Sequence, residues 1–251
     1  MNQRMKISTV IAAYNEKENI IELIERIINI FKSINIDYEI ILVVQGNDGT
    51  FELLQDFIKK TNSHIYTLHY GRPLGVGVAF KIGFHHIAED ATHILTMDAD
   101  LNHQPEDLPK FLKMLERKEV DIIIGSRYIP YGKMKNVRTW RYILSKFVNY
   151  ILSYLCNLKV ADKTSGYRLQ KKEVVVNLRD KIKTKNFDFY VDYLIMAQKA
   201  GFSMTEIPIV FIARSKGQSK MNIIDTLFRY CILIVKNCKF NFLRRRRFRE
   251  K

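Results

Sequence analysis

Apolar positions in the first half of the chain alternate between two patterns. Short blocks rich in Ile, Val, Leu and Ala, such as residues 6–13, read as buried strands; between them apolar residues recur every three or four positions. In residues 16–33 that spacing selects Ile20, Leu23, Ile24, Ile27, Ile28 and Phe31, the stripe of an amphipathic helix. Residues 38–44 predict a second strand. The Asp48-Gly49-Thr50 turn then caps a helix that runs to about residue 60. A third strand over residues 64–69, a Gly-rich loop and a helix over about residues 77–88 follow. Strands over residues 93–97 and 121–125 flank a helix that starts near Pro105. Strands alternating with helices predict an α/β fold, a mainly parallel sheet flanked by helices. Ligands of such sheets bind beyond the carboxyl ends of the strands.

The second half changes character. Residues 139–157 carry Trp140, Ile143, Leu144, Phe147, Val148, Ile151, Leu152 and Leu155 at helical spacing. Arg141 and Ser145, one turn apart, share the opposite face, and Asn149 continues it. Residues 205–212 predict one more strand. A second amphipathic helix spans residues 221–238, with Ile223, Ile224, Leu227, Phe228, Cys231, Ile232 and Val235 on one side.

Composition sets limits on this picture. The 251 residues suit one large domain, or one domain with an appendage, and 47% hydrophobic content supports a sizeable core. No internal repeat or low-complexity segment occurs. The three cysteines, Cys156, Cys231 and Cys238, have no metal-type spacing, and an odd count suits a reducing cytoplasm. The polar stretch of residues 1–6 predicts no secretory signal. No segment reaches the ~18 apolar residues of a membrane span, which predicts a soluble or peripheral protein. The net charge of +15 calls for an anionic partner: nucleic acid, anionic lipid or a phosphorylated substrate. The charge is concentrated in residues 239–251, which hold seven basic groups and one acid.

The sharpest chemical signal is Asp98-Ala99-Asp100, which follows an apolar strand and so lies in the expected ligand crevice. Two carboxylates there repel unless a cation neutralises them, and hard oxygen ligands suit Mg²⁺ or Mn²⁺, which in turn bridge phosphates. The loop of residues 70–77, with Arg72, also joins a strand to a helix whose N-terminus favours anions. It is neither a Walker loop nor a dinucleotide fingerprint, which lowers the kinase and dehydrogenase readings. An Arg and a hydroxyl on one helical face, as at Arg141 and Ser145, can grip a phosphate.

Six motifs in register resemble glycosyltransferase family 2. They are residues 13–20 (Ala-Tyr-Asn-Glu-Lys-Glu-Asn-Ile), Asp48-Gly49-Thr50, Met97-Asp98-Ala99-Asp100-Leu101, Gly125-Ser126-Arg127-Tyr128, Thr164-Ser165-Gly166-Tyr167-Arg168 and Gly217-Gln218-Ser219-Lys220. Within that family the set is similar to the dolichol-phosphate or polyprenyl-phosphate mannose synthases. The resemblance implies a GT-A (Rossmann-like) domain over residues 1–220, with an amphipathic interface helix at 139–157, and a C-terminal helix and basic tail at 221–251. It implies inverting transfer of a sugar, mannose favoured, from a nucleotide-sugar donor, GDP-mannose favoured, to a polyprenyl phosphate. By the same resemblance Tyr14 and Glu16 contact the nucleotide, and Asp98, Asp100 and Asn102 form the metal and diphosphate site. Arg127, Arg141 and Ser145 hold the acceptor phosphate, and Arg214, Lys216 and Lys220 close over the donor phosphates.

The chain departs from the pattern at the second strand. The family usually carries two Asp there; this chain has Val44-Gln45-Gly46-Asn47-Asp48-Gly49-Thr50, one residue shorter and lacking both. Ala12 also stands where the family often has Pro. Gln45 can hydrogen-bond a base with different donor and acceptor choices.

A phosphomonoester is mostly deprotonated near pH 7, so such an acceptor needs no general base. His85, His86 and His103 are then expected to be bystanders, and Asp162 either touches the sugar or caps a turn. A saccharide acceptor, a different sugar, or a role as non-catalytic partner of an integral-membrane transferase are the alternatives within reach. A nucleic-acid-binding protein would account for the charge but not for the acids after the fourth strand, so no nucleic-acid partner is expected. Asp225, Arg229 and Lys236 interrupt the C-terminal helix and disfavour spanning. The expectation is peripheral binding to an anionic membrane, on its cytoplasmic face.

Overall fold

The computed structural model describes residues 5–61, 64–214 and 222–249, with side chains described as far as Asn237 in the last segment. Nine strands and eight α-helices follow in order among these residues: β1 (Lys6–Tyr14), α1 (Ile20–Ile34), β2 (Asp37–Gln45), α2 (Thr50–Thr61), β3 (Ile65–Tyr70), α3 (Val76–Phe84), β4 (His93–Asp98), α4 (Leu108–Arg117), β5 (Ile122–Ser126), β6 (Lys133–Lys135), α5 (Thr139–Cys156), β7 (Arg168–Lys171), α6 (Lys172–Leu178), α7 (Phe189–Lys199), β8 (Met204–Pro208), β9 (Val210–Ile212) and α8 (Ile223–Arg249). The central sheet runs β3-β2-β1-β4-β7-β5-β8, and a small ribbon pairs β6 with β9. Within the sheet, β7 alone is antiparallel, to both β4 and β5. The other pairs are parallel.

Parallel strands buried on both faces read as near-continuous apolar runs, and β1, β2 and β5 do so. One layer of core lies on the α1 side, where all six residues of the predicted α1 stripe are buried. The other lies under α3, α6 and α7 and reaches Leu152 and Cys156 of α5 and Tyr230 and Leu233 of α8.

Three boundaries differ from the sequence pattern. The strand expected over residues 205–212 is two strands in different sheets. Pro208 has no N–H for a ladder, and beyond it Ile209 donates its N–H to Ser126 O (3.1 Å) while its carbonyl accepts from Lys133 (3.0 Å). The chain thereby passes from the main sheet to the ribbon. The helix expected to reach residue 88 stops at Phe84, where the N–H of His85 turns back to Ile82 O (3.0 Å) and its ring meets Asp180 at 3.1 Å. The C-terminal helix does not end near residue 238; its backbone stays helical through the basic run to Arg249.

Helix α5 packs on the protein through a mixed face and leaves much of its apolar surface exposed. Asn149 is buried with Leu152 and Cys156, whereas Trp140, Ile143, Phe147, Tyr150 and Tyr154 are exposed. Helix α8 packs beside α5 and repeats the arrangement. Its Thr226, Tyr230, Leu233 and Asn237 are buried, and Ile224, Phe228, Ile232 and Val235 are exposed. No described helix is long and apolar enough to cross a membrane.

Candidate active site

The carboxyl ends of β1, β2 and β4 lie side by side, with Ala12 in register with Asp98 and Tyr14 with Gln45. The chain turns sharply after each. Asn15 adopts φ 52°, and the N–H of Glu16 donates to Thr50 Oγ1 at 3.0 Å. Glu16 Oε2 accepts from Asn19 Nδ2 at 2.8 Å. A cavity of about 280 Å³ opens here, lined by Asn15, Glu16, Lys17, Glu18, Asn19 and Asp48. Asp48 caps α2 by accepting from the N–H of Thr50 (3.0 Å) and from its hydroxyl (2.5 Å).

Gln45, the residue standing at the altered second-strand motif, is buried, and its amide oxygen accepts from the N–H groups of Leu74 (2.7 Å) and Gly75 (3.2 Å). It anchors the Gly-rich loop at the start of α3. Gly75 has φ 93°, and a Cβ there would lie 2.4 Å from Lys185 O, so only glycine fits. Arg72 is exposed on the same loop.

Asp98 and Asp100 occupy the predicted crevice. Asp98 accepts from the hydroxyl of Tyr190. Asp100 accepts from the N–H of Asn102 (3.1 Å), from Asn102 Nδ2 (2.7 Å) and from Arg214 Nη2 (2.6 Å). Arg214 also reaches Glu16 at 3.3 Å, so one guanidinium joins the ends of β1 and β4. Burial raises the pKa of both aspartates above the usual carboxylate range, and for Asp100 the charge of Asp98 adds to it. His103 is buried 3.7 Å from Asp98, and burial lowers its pKa to about 4, so the ring is neutral.

These side chains fit a hard divalent cation. Asn102 Oδ1 is buried with no hydrogen-bond partner among the described residues, beside the carboxylate of Asp100. Among the described residues no cluster of three or more His, Cys, Asp or Glu could hold an ion by itself. Two carboxylates and an amide oxygen match the sparse protein shell of Mg²⁺ or Mn²⁺, which completes its coordination with water and phosphate.

Next to this cluster, Arg127 follows β5 and meets Asp162 through Nε and Nη2 at 2.7 Å each; Nη2 also donates to Thr164 Oγ1 at 2.7 Å. Burial opposes both charges, but the pair holds the carboxyl below and the guanidinium above their ordinary values. Asp162 therefore orients an arginine rather than capping a turn. Its loop is fixed by Glu206, which accepts from the N–H groups of Ala161 and Asp162 at 2.7 and 2.8 Å. The polar face of α5 closes the network. Tyr128 Oη donates to Ser145 Oγ (2.6 Å), and Asn149 accepts from the N–H of Lys163 (2.8 Å). Arg141 lies one turn before Ser145, exposed, its guanidinium 5.3 Å from the Trp140 ring centre.

The structure thus brings Glu16, Asp98, Asp100, Asn102 and Arg214 into one cluster, and Arg127 and Ser145 into an adjoining one. Lys216 and Lys220 lie outside the described residues. Tyr128, Thr164 and Gly166 sit inside sequence motifs without an assigned role. Tyr190 gave no signal, because an aromatic in a run of aromatics reads as core.

Comparison with known proteins identifies the family and the fold. The family model described as "Glycosyl transferase family 2" matches residues 8–179. The polyprenol monophosphomannose synthase of Mycolicibacterium smegmatis is 31% identical over 88% of this chain and 83% of its own. The undecaprenyl-phosphate mannosyltransferase of Micrococcus luteus is 31% identical over 87% of this chain and 88% of its own. Among solved structures, a mannosyltransferase from Pyrobaculum calidifontis in complex with GDP-Man and Mn²⁺ superposes with a TM-score of 0.57. At 15% identity, over 91% of this chain and 61% of that one, it supports the fold alone.

Proposed function

The chain belongs to glycosyl transferase family 2, and from that membership we propose that it moves mannose from GDP-mannose to a polyprenyl phosphate at an anionic membrane surface. One observation carries the reading. A carboxylate pair at a strand end adjoins a helix that bonds the site network through Ser145 and Asn149 and leaves Trp140, Ile143, Phe147, Tyr150 and Tyr154 exposed. A soluble acceptor gives no reason for the second feature; an acceptor anchored in a bilayer does.

In this reading Tyr14, Glu16 and Arg72 bind the nucleotide, Gln45 acts on it through the loop it anchors, and Arg214, Lys216 and Lys220 gather around its diphosphate. Asp98, Asp100 and Asn102 would hold Mg²⁺ or Mn²⁺, which supplies Lewis-acid stabilisation of the leaving diphosphate. Arg214 must exchange its carboxylate partners for phosphate oxygens when the donor arrives. The acceptor phosphate meets Arg141 and Ser145; Arg127, already paired with Asp162, orients it from below. An acceptor oxygen, deprotonated near neutral pH, forms the new bond to the anomeric carbon as the bond to diphosphate breaks. No protein base is required, and His103, its pKa lowered to about 4 by burial, would be a weak one. The exposed faces of α5 and α8 lie among the lipid headgroups, and the basic run of α8 adds attraction to anionic lipid on the cytoplasmic side.

A thermal-shift series with GDP-, UDP- and CDP-sugars, with and without Mn²⁺, tests the donor. GDP-mannose with Mn²⁺ is expected to raise Tm most, and Asp98→Asn and Asp100→Asn to remove the metal-dependent part. A larger shift with a UDP- or CDP-sugar would overturn the choice of base. No shift with any of them would overturn the reading.

A further inference from the structure

We propose that Tyr190 is a positioning residue for the metal site: its hydroxyl fixes one oxygen of Asp98 so that the other faces the place of the cation. This rests on the metal reading above and adds a residue to it. Tyr190 belongs to α7, far along the chain from Asp98, and its hydroxyl donates to Asp98 Oδ1. Oδ2 is the oxygen facing His103, at 3.7 Å.

The tyrosine is itself held on every side. Its carbonyl accepts from Arg168 Nη2 at 2.8 Å, with the guanidinium 5.6 Å from the ring centre. Phe80 meets the ring edge-on at 6.0 Å, and Phe189 lies at 5.5 Å. The opening through which the hydroxyl reaches Asp98 exists because residue 166 is glycine. A Cβ there would stand 2.8 Å from Tyr190 Cε1 and 3.0 Å from Asp98 Oδ2. Gly166 is in turn fixed by Thr96 Oγ1, which donates to its carbonyl at 2.8 Å. A side chain pinned by packing and donating one hydrogen bond to a ligating carboxylate is how an outer shell orients a metal ligand.

Tyr193 provides the control. It is an equally buried tyrosine on the same helix, but its hydroxyl donates to Gln170 Oε1 at 2.8 Å, away from the carboxylates. Tyr190→Phe and Tyr193→Phe each remove one buried hydroxyl and keep the ring. The measurement is Mn²⁺ affinity by electron paramagnetic resonance titration of the full chain, in the presence of GDP and, separately, UDP, with Tm recorded alongside. Tyr190→Phe is expected to weaken Mn²⁺ about 10- to 100-fold, while Tyr193→Phe shifts Tm and leaves Mn²⁺ affinity unchanged. Nucleotide affinity without metal is expected to be unaltered by either. Wild-type Mn²⁺ affinity in Tyr190→Phe, or equal weakening in both variants, would overturn the assignment. If the unsubstituted protein binds no Mn²⁺ with either nucleotide, the metal reading itself fails and this assignment with it.

Discussion

Helices α1 and α5 carry the same kind of pattern, but α1 buries all of it and α5 only part. In α1 the stripe from Ile20 to Phe31 lies against the sheet and is buried throughout. In α5 the stripe is split: Trp140, Ile143 and Phe147 face outward, whereas Leu152 is buried and Val148 packs on the core, on the side that also carries Asn149 and Cys156. Hydrophobic periodicity identifies a helix and its two faces; it does not say which face meets the protein. That is decided by what the polar face can bond. The polar face of α5 has partners, the hydroxyl of Tyr128 and the loop that carries Asp162 and Thr164. Trp140, Ile143 and Phe147 are therefore left exposed.

The contrast breaks most readily at one phenylalanine of each stripe. Phe31→Ala is expected to cost about 3–5 kcal/mol by leaving a core cavity. Phe147→Ala should stay within ~0.5 kcal/mol, both read by chemical denaturation. A large loss for Phe147→Ala would mean that α5 is packed rather than exposed. Next in size is the membrane contact. Removing residues 244–251 deletes six basic groups. At half of roughly 1 kcal/mol each, vesicle partitioning falls by about 3 kcal/mol, on the order of a hundredfold. Binding should need anionic lipid and weaken with salt. Ile143→Asp combined with Phe147→Asp should reduce partitioning too, with Tm unchanged.

Two smaller effects sharpen the polar side of α5. Asn149→Ala leaves the buried N–H of Lys163 without its acceptor and should cost about 1–3 kcal/mol. Arg141→Ala, at an exposed position, should leave stability alone and raise KM for the lipid phosphate about tenfold, the loss of roughly 1.4 kcal/mol. KM for the donor should not change. Equal loss for donor and acceptor would assign Arg141 to the donor side.

Most of the sheet was legible because buried parallel strands and capped helices leave local signatures, as in β1, α1 and the Asp48 turn. The split of residues 205–212 was not, because Pro208 ends one strand and Ile209 begins the crossing within a run that reads as continuous. The carboxylates were found because their position after an apolar strand implies the crevice. Tyr190 and the pairing of Arg127 with Asp162 were not, since each depends on residues far apart in sequence meeting across the sheet. Gln45 was placed at the right strand end, but its amide oxygen is bonded to the loop after β3. That contact is set by tertiary packing and has no trace in the local motif.

The account stands or falls on transfer to lipid. Sugar-labelled GDP-mannose, polyprenyl phosphate in anionic vesicles, Mn²⁺ and the full chain should yield a labelled lipid. Asp98→Asn and Asp100→Asn, both folded, should lower the yield by about a hundredfold or more. Undiminished labelled lipid from both variants, or none from the unsubstituted protein with any GDP-, UDP- or CDP-sugar, would contradict it.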